Sequence, residues 1–129
     1  MNIILSIKPK WAQKIYSGEK TIEWRKTFPL CANIGSKVFL YETAPIKKIT
    51  GYFIFDGQYL FRPKDPYNDQ YLEPVVEKGC VPLEDLCKYA DKYIFGWYVK
   101  YPRKFDTPKS LEDFGPKHPP QSWCYTALR

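Results

Sequence analysis

Residues 5–26, LSIKPKWAQKIYSGEKTIEWRK, contain the pattern from which the fold is predicted. Residues 2–7 are apolar and mostly β-branched, which indicates a buried strand, and a Lys-Pro pair ends it. Proline suits the first position of a helix, apolar residues then recur at helical spacing over residues 9–17, and Gly18 follows as a natural stop. Apolar and polar residues alternate over residues 21–27, which predicts a second strand with one polar face.

The rest of the chain adds further strands and a helical insertion. Aromatic and β-branched segments predict strands at residues 37–42, 48–55, 93–105 and 122–128. Between Tyr67 and Lys92 the pattern indicates two short helices, broken at Gly79 and restarted by Pro82. Residues 107–120 hold four of the twelve prolines and are predicted to be a turn-rich insertion. Five or six strands, a helix after the first strand and a helical insertion in the second half predict an α+β fold built on a mixed β-barrel or sheet.

Composition limits the class of protein. A chain of 129 residues with 44% hydrophobic and 26% charged residues has the size and balance of one globular domain, so residues 1–129 are interpreted as a single domain. The aromatic content of 18% favours strands and also stacking surfaces for flat ligands. Twenty Lys and Arg against fourteen Asp and Glu leave a net charge of +6, which suits a polyanionic partner or simple solubility.

Cysteine and histidine usage indicates no metal site, disulfide framework or cofactor. Cys31, Cys80, Cys87 and Cys124 lack a CxxC spacing, and His118, the one histidine, lies in a proline-rich loop where a solvated side chain is expected. Free thiols without a secretory leader predict a cytoplasmic protein, and every apolar run falls short of the ~20 residues that a membrane span needs.

The opening motif resembles that of the ASCH domain family: a strand ending in Lys-Pro, a short helix and then G-x-K-x-x-E-x-R. Gly18, Lys20, Glu23 and Arg25 match this pattern position for position. The likeness continues in the sequence YETAP at residues 41–45 and in PPQSWCY at residues 119–125, so it covers both ends of the chain. The resemblance implies a PUA-like fold, a small β-barrel with a cleft between the barrel and its helices. It also implies binding of RNA or of a modified base.

The residues of the motif allow such a site. On a strand after Gly18, Thr21, Glu23 and Arg25 project to one face. A carboxylate beside a guanidinium can read a base edge and reach a phosphate. Lys8 and Lys20 flank the predicted helix and can supply a cation to a phosphate. The alternative for Glu23 and Arg25 is a surface salt bridge worth about 0–1 kcal/mol, and the family resemblance favours the binding role.

Other candidate residues come from the two remaining matched segments. Tyr41 and Thr43 line the cleft or pair across the sheet, and Gln121 and Ser122 lie near the cleft or form a turn. The four tryptophans divide into two groups. Trp24 and Trp97 are predicted to be core residues, whereas Trp11 and Trp123 stay open as stacking surfaces. The predicted nucleic-acid-binding set is Lys8, Lys20, Glu23, Arg25, Tyr41, Thr43, Gln121, Ser122 and Trp123.

The choice between a binding module and an enzyme turns on a hydroxyl nucleophile. Some small bacterial ASCH proteins look to be acetylcytidine amidohydrolases, with a threonine three residues after the motif lysine. Glu23 occupies that position here, and Thr21 is one residue from Lys20, so the two side chains point to opposite faces of a strand. This disfavours the amidase. Related proteins also look to include ribonucleases, for which Glu23 with Lys20 or Arg25 would supply a base and a cation.

The leading interpretation is therefore an RNA-binding module with a cleft for a nucleotide or a modified base. The alternative is a hydrolase of a modified nucleoside or a ribonuclease, with Lys20 and Glu23 as the catalytic pair. A protein-interaction module in transcription follows only from the family resemblance. Two basic clusters, at residues 47–48 and 100–104, either follow a phosphate backbone or protect a strand edge. Whether the predicted acidic helices cover the cleft stays open.

Overall fold

The computed structural model describes residues 1–65, 72–90 and 92–128, and the side chains of residues 72–75 are outside the description. The strands are β1 Asn2–Ile7, β2 Ile22–Arg25, β3 Lys37–Glu42, β4 Lys48–Phe61, β5 Ile94–Lys109 and β6 Trp123–Thr126. The helices are α1 Pro9–Tyr16, α2 Leu72–Gly79 and α3 Leu83–Tyr89, and a short 3-10 helix spans Leu111–Phe114. The first part of the predicted helical insertion, residues 67–71, lies outside the described residues.

The described strands form one curled sheet in the order β2-β5-β4-β3-β1-β6. β1 and β3 are parallel, and the other neighbouring strands are antiparallel. The parallel pair follows from the helix α1 and strand β2 that lie between β1 and β3 in the chain, since parallel strands need a crossover connection. This arrangement confirms the predicted α+β, PUA-like architecture of a mixed, barrel-like sheet.

Apolar side chains pack on both faces of the sheet. On one face, Ile3, Leu5 and Ile7 of β1 meet helix α1 through Ala12 and Ile15. The opposite face carries a second cluster, which includes Ile4, Phe39, Tyr41, Ile49, Leu111 and Phe114. A third cluster packs α3 against β2 and the far ends of β4 and β5 through Leu86, Ile22, Trp24, Phe61 and Ile94. The third cluster fixes the helical insertion beside the opening motif.

The two largest errors in the predicted boundaries lie in the long pair β4 and β5. The strand predicted to end at Phe55 continues to Phe61, because β4 resumes pairing with β5 at Gln58, beyond a register shift and the left-handed Gly57. β5 continues to Lys109 and so takes in the first residues of the predicted turn-rich insertion. Pro102 is tolerated within β5 at another register shift, because a proline at a bulge removes no ladder hydrogen bond.

Candidate functional site

Strand ends converge at one edge of the sheet. Because β1 and β3 are parallel, their carboxyl ends lie side by side, and the Thr43 N–H donates to the Ile7 carbonyl at 2.9 Å. β6 is antiparallel to β1 and begins at this same edge, where the Ser6 N–H donates to the Ser122 carbonyl at 2.9 Å. The predicted site residues that follow β1, follow β3 and precede β6 are therefore brought together, although they are far apart in the sequence.

Lys20, Glu23 and Arg25 form a buried charged group beside these strand ends. The Glu23 Oε2 accepts from Arg25 Nε at 3.0 Å and from Arg25 Nη2 at 2.7 Å. The Glu23 Oε1 lies 3.4 Å from Lys20 Nζ, and the Glu23 side chain is 6% exposed. The group is buried, and the surface salt bridge considered from the sequence does not describe it.

Arg25 ties this group to the strand ends. Its Nη2 donates to the Ser6 carbonyl at 2.8 Å, and its Nη1 donates to the Ser122 Oγ at 3.3 Å. All three guanidinium nitrogens thus donate to protein acceptors, which belong to Glu23, Ser6 and Ser122. Arg25 therefore contributes a fixed positive charge more than a free set of donors.

Lys20 is nearly inaccessible to solvent, with 2% of its surface exposed. Its ammonium donates to the Gly79 carbonyl at the end of α2 and lies 5.3 Å from the centre of the Trp11 ring. Burial lowers the pKa of Lys20, because desolvation disfavours the charged form, while the nearby Glu23 opposes this effect. An amine with a lowered pKa can exchange a proton closer to neutral pH than an exposed lysine can.

The charged group faces a cavity of about 550 Å³. Its apolar and aromatic walls come from α1, β2 and the helical insertion: Trp11, Trp24, Val81, Leu86 and Tyr89. Its charged lining residues are the cations Lys8, Lys10, Lys20 and Arg25 and the acids Glu23 and Asp85. Among the described residues the lining thus carries an excess of positive charge, which favours an anionic ligand, and the aromatic walls favour a flat one.

Most of the predicted site residues line this cavity. Lys8, Lys20, Glu23, Arg25, Thr43 and Gln121 contribute to its walls. Ser122 does not line the cavity but accepts a hydrogen bond from Arg25, which does.

Tyr41 and Trp123 are placed elsewhere. Tyr41 is 6% exposed and packs with Phe39 and Ile49 in the second core cluster, because residues two apart along β3 share a face of the sheet. The Trp123 indole donates to the Thr27 Oγ1 at 2.9 Å and stacks edge-on with aromatic neighbours. Of the two alternatives for Tyr41, the structure has the pairing across the sheet, with Ile49 of β4, and Tyr41 does not line the cavity; the ring of Trp123 packs against Trp97 and Tyr125.

Several lining residues were absent from the predicted set. Ser6 lies inside a strand that reads as wholly buried, and Lys10 is one of many lysines, so nothing in the sequence distinguishes them. Asp85 and Tyr89 belong to α3, and their contribution settles that the helical insertion forms one wall of the cavity. Trp11, left open from the sequence as a stacking surface, also lines it.

Two further sequence expectations concern metals and membranes. Within residues 1–65, 72–90 and 92–128, no cluster of His, Cys, Asp and Glu side chains has the arrangement of a metal site. In the same ranges, no helix is both long and apolar enough to span a bilayer.

Comparisons with known proteins agree with the opening motif. A family model described as the ASCH domain matches residues 5–109. A curated protein of Zymomonas mobilis, described as an ASCH domain-containing ribonuclease, is 37% identical over 49 residues. This match covers 38% of the present chain and 32% of the relative, so it spans about a third of that protein's length.

Solved structures share the architecture. The ASCH protein of Zymomonas mobilis superposes with a TM-score of 0.80 at 19% identity, covering 99% of this chain and 87% of that one. A point mutant of it gives the same TM-score, and a hypothetical protein gives 0.53 at 11% identity over 78% of this chain and 97% of that one. At these identities the likeness shows the fold.

Proposed function

Because the chain belongs to the ASCH domain family, we propose that it is an RNA-binding module whose cavity holds a nucleotide of a single strand. The observation that carries the proposal is the buried group of Lys20, Glu23 and Arg25 at the wall of a cavity of about 550 Å³ with aromatic sides and surplus positive charge. The ribonuclease description of the Zymomonas relative supports RNA as the partner. A cytoplasmic location belongs to the same proposal and suits the free thiols of Cys31, Cys80, Cys87 and Cys124.

The cavity residues divide into two roles. Lys8 and Lys10 have exposed side chains beside the cavity and are suited to contact phosphate oxygens. Trp11 offers an aromatic face for the base, since stacking tolerates every base. Such a division gives affinity to the phosphates and orientation to the ring.

The buried group of Lys20, Glu23 and Arg25, which forms the floor of the cavity, influences a ligand through its charge. Both oxygens of Glu23 already face cations, and the guanidinium of Arg25 is engaged by protein acceptors. Direct reading of the base edge therefore falls to Thr43, Gln121 and Asp85, whose side-chain polar atoms have no competing partner among the hydrogen bonds of the described residues. This refines the sequence interpretation, in which Glu23 and Arg25 read the base.

The test uses labelled single-stranded RNA of 12 nucleotides and a salt series. The double variant Lys8→Gln/Lys10→Gln removes the exposed cations and leaves the buried group intact. Two lost phosphate contacts lower the slope of log K against log salt by about 1.4, since each contact on a single strand contributes about 0.7. The charge-matched control is Lys64→Gln/Lys92→Gln, which removes two exposed lysines that do not line the cavity. Equal slopes for the two double variants would refute cavity binding.

A ribonuclease is the second candidate, favoured by the lowered pKa of Lys20. A neutral Lys20 amine can accept the proton of a 2′-hydroxyl, and Glu23, 3.4 Å away, stabilises the resulting ammonium. Cleavage of unlabelled RNA is measured on the binding samples with wild type and Lys20→Met. The enzyme reading expects cleavage that the variant lacks while RNA binding persists. If the wild type does not cleave RNA, the ribonuclease proposal fails and the binding-module proposal stands.

An amidohydrolase needs a hydroxyl nucleophile near Lys20. Thr21 does not line the cavity, and its backbone N–H donates to the Lys78 carbonyl at 2.9 Å. Thr43 is the threonine in the cavity lining. Acetylcytidine hydrolysis, assayed on wild type and Thr43→Val, tests whether Thr43 is the nucleophile of an amidohydrolase. Product formed by the wild type and not by the valine variant would support that activity.

A further inference from the structure

The face of the sheet opposite α1 carries a basic and aromatic patch that the cavity does not use. Cross-strand partners in register share a face of the sheet. One register row contains Lys37, Ile54 and Lys100, and the next contains Phe39, Tyr52 and Arg103. Phe39 belongs to the second core cluster, which places both rows on the face away from α1.

Aromatic rings and cations alternate on this patch. The rings of Tyr52 and Phe105 are 5.9 Å apart and only partly buried. The ammonium of Lys37 lies 4.8 Å from the centre of the Tyr52 ring, and that of Lys109 lies 4.5 Å from the centre of the Phe105 ring. Flat aromatic surfaces thus lie next to positive charges.

A β-bulge holds an exposed tyrosine between Lys100 and Arg103, two residues of this patch. Between the pairs Tyr52 with Arg103 and Ile54 with Lys100, β4 has one residue and β5 has two, Tyr101 and Pro102. Tyr101 has a φ of 48° and is 76% exposed. A bulky residue with positive φ is strained, and bulges re-aim side chains near functional sites. Among the described residues, the Tyr101 ring is not buried, so packing of the ring does not offset the strain.

From these observations we propose that the patch, defined by Lys37, Tyr52, Lys100, Tyr101, Arg103, Phe105 and Lys109, is a second contact surface for single-stranded RNA. Unpaired bases stack on aromatic rings while interleaved cations follow the phosphates. The charge favours a polyanion, because the patch has four cations and, among the described residues, the salt bridges include one acid at the patch, Asp56, 3.3 Å from Lys100. The inference rests on RNA as the partner but does not depend on the cavity.

Protection of a strand edge is the competing explanation. β2 pairs with residues 95–98 of β5, so within the described residues the later part of β5 lies at the margin of the sheet. Lysines at such a margin prevent edge-to-edge association. That role would explain the cations, but it would not make the affinity for RNA depend on the ring of Tyr101.

The experiment measures binding of the 12-nucleotide RNA by Tyr101→Asn and Tyr101→Phe. Asparagine removes the ring but tolerates a positive φ, so the bulge is kept, and phenylalanine keeps the ring. We expect Tyr101→Asn to weaken binding roughly fivefold to a hundredfold, the range for loss of one stacked base, and Tyr101→Phe to bind within about twofold of wild type. Equal affinity of Tyr101→Asn and wild type would overturn the inference.

The cations are tested by Lys100→Gln/Arg103→Gln against the charge-matched control Lys64→Gln/Lys92→Gln. The control positions flank the far ends of β4 and β5, roughly 25–30 Å along the strands from Arg103. The first variant lowers the salt slope by about 1.4 and the control does not; equal slopes would count against the patch. A nucleoside monophosphate, which reports on the cavity alone, binds equally to all these variants. Loss of RNA binding in the Tyr101 variant together with full nucleotide binding therefore separates the patch from the cavity.

Discussion

Replacing Glu23 by Gln tests the buried charged group most severely. The carboxylate accepts two hydrogen bonds from Arg25, at 2.7 and 3.0 Å, and has Lys20 at 3.4 Å, all within a site where the Lys20 side chain is 2% exposed and the Arg25 side chain 12% exposed. Glutamine keeps the shape and one acceptor oxygen but leaves two buried cations without an anion between them.

The expected cost is that of breaking a buried ion pair. Removal of one partner of such a pair costs about 3–5 kcal/mol, because the remaining charge has lost both its partner and its hydration. At an m-value of about 2 kcal/mol per molar urea, the unfolding midpoint falls by about 1.5–2.5 M. The repulsion from Arg25, no longer screened by Glu23, lowers the pKa of Lys20 further. The folded state then binds fewer protons than the unfolded state over a wider range, so the loss of stability shrinks as the pH rises from 7 to 9.

Urea unfolding followed by circular dichroism measures this loss. The matched control is Glu19→Gln, which breaks the ion pair with Lys14, whose side chains are 61% and 38% exposed, and which should change stability by less than about 1 kcal/mol. A cost for Glu23→Gln as small as that of Glu19→Gln would mean that the group behaves as a surface salt bridge, and the electrostatic account of the cavity floor would fail.

Three further changes have defined outcomes. Lys20→Met leaves Glu23 paired with Arg25, so it destabilises the protein less than Glu23→Gln does. In urea titrations, the wild-type free energy of unfolding minus that of the variant should increase between pH 7 and 9.5, because the lowered pKa of Lys20 makes the folded wild type bind fewer protons than the unfolded chain. A difference that does not change with pH would argue against a lowered pKa. Gly79→Ala places a methyl group against the Trp24 indole and should cost about 1–3 kcal/mol in the same assay; an unchanged midpoint would refute that tight contact. Trp11→Leu should weaken nucleotide binding by about 1–3 kcal/mol in a calorimetric titration, and unaltered affinity would remove stacking on Trp11 from the account.

The opening segment could be predicted well because its signals are local. A proline at the start of α1, helical spacing of apolar residues and Gly18, whose φ is 85°, define the helix independently of the rest of the chain. The alternation over β2 predicted Trp24 as a core residue, and it packs with Ile22 in the third core cluster, although it also lines the cavity with Glu23 and Arg25. The break between α2 and α3, at Gly79 and Pro82, was also predicted from local signals.

The long strands were predicted less well because their course depends on pairing. Gly57 and Pro102 read as breaks in a single sequence, yet the neighbouring strand continues past each, and register shifts absorb the irregularity. The alternation along β3 is regular: Val38 and Leu40 lie in the first core cluster, and Phe39 and Tyr41 lie in the second. A single sequence gives this alternation but does not say which face turns toward the cavity.

The charged residues of the site were predicted from the motif, but their mutual geometry was not. Sequence spacing puts Glu23 and Arg25 on one face, whereas the burial of Lys20 depends on the Gly79 carbonyl and on Trp11, which come from other elements. The wall supplied by α3 likewise arises from tertiary packing through Leu86. Residues such as Ser6 and Asp85 enter the site only through this packing.

Titration of 15N-labelled protein with a nucleoside monophosphate locates the ligand and so shows whether the cavity binds it. We expect the indole N–H signal of Trp11, which lines the cavity, to shift together with the backbone signals of Lys8 and Thr43. The indoles of Trp97 and Trp123, which donate to Thr27, should stay in place. Shifts confined to residues outside the cavity, or no shifts at millimolar nucleotide, would contradict the proposal that this cavity binds a nucleotide.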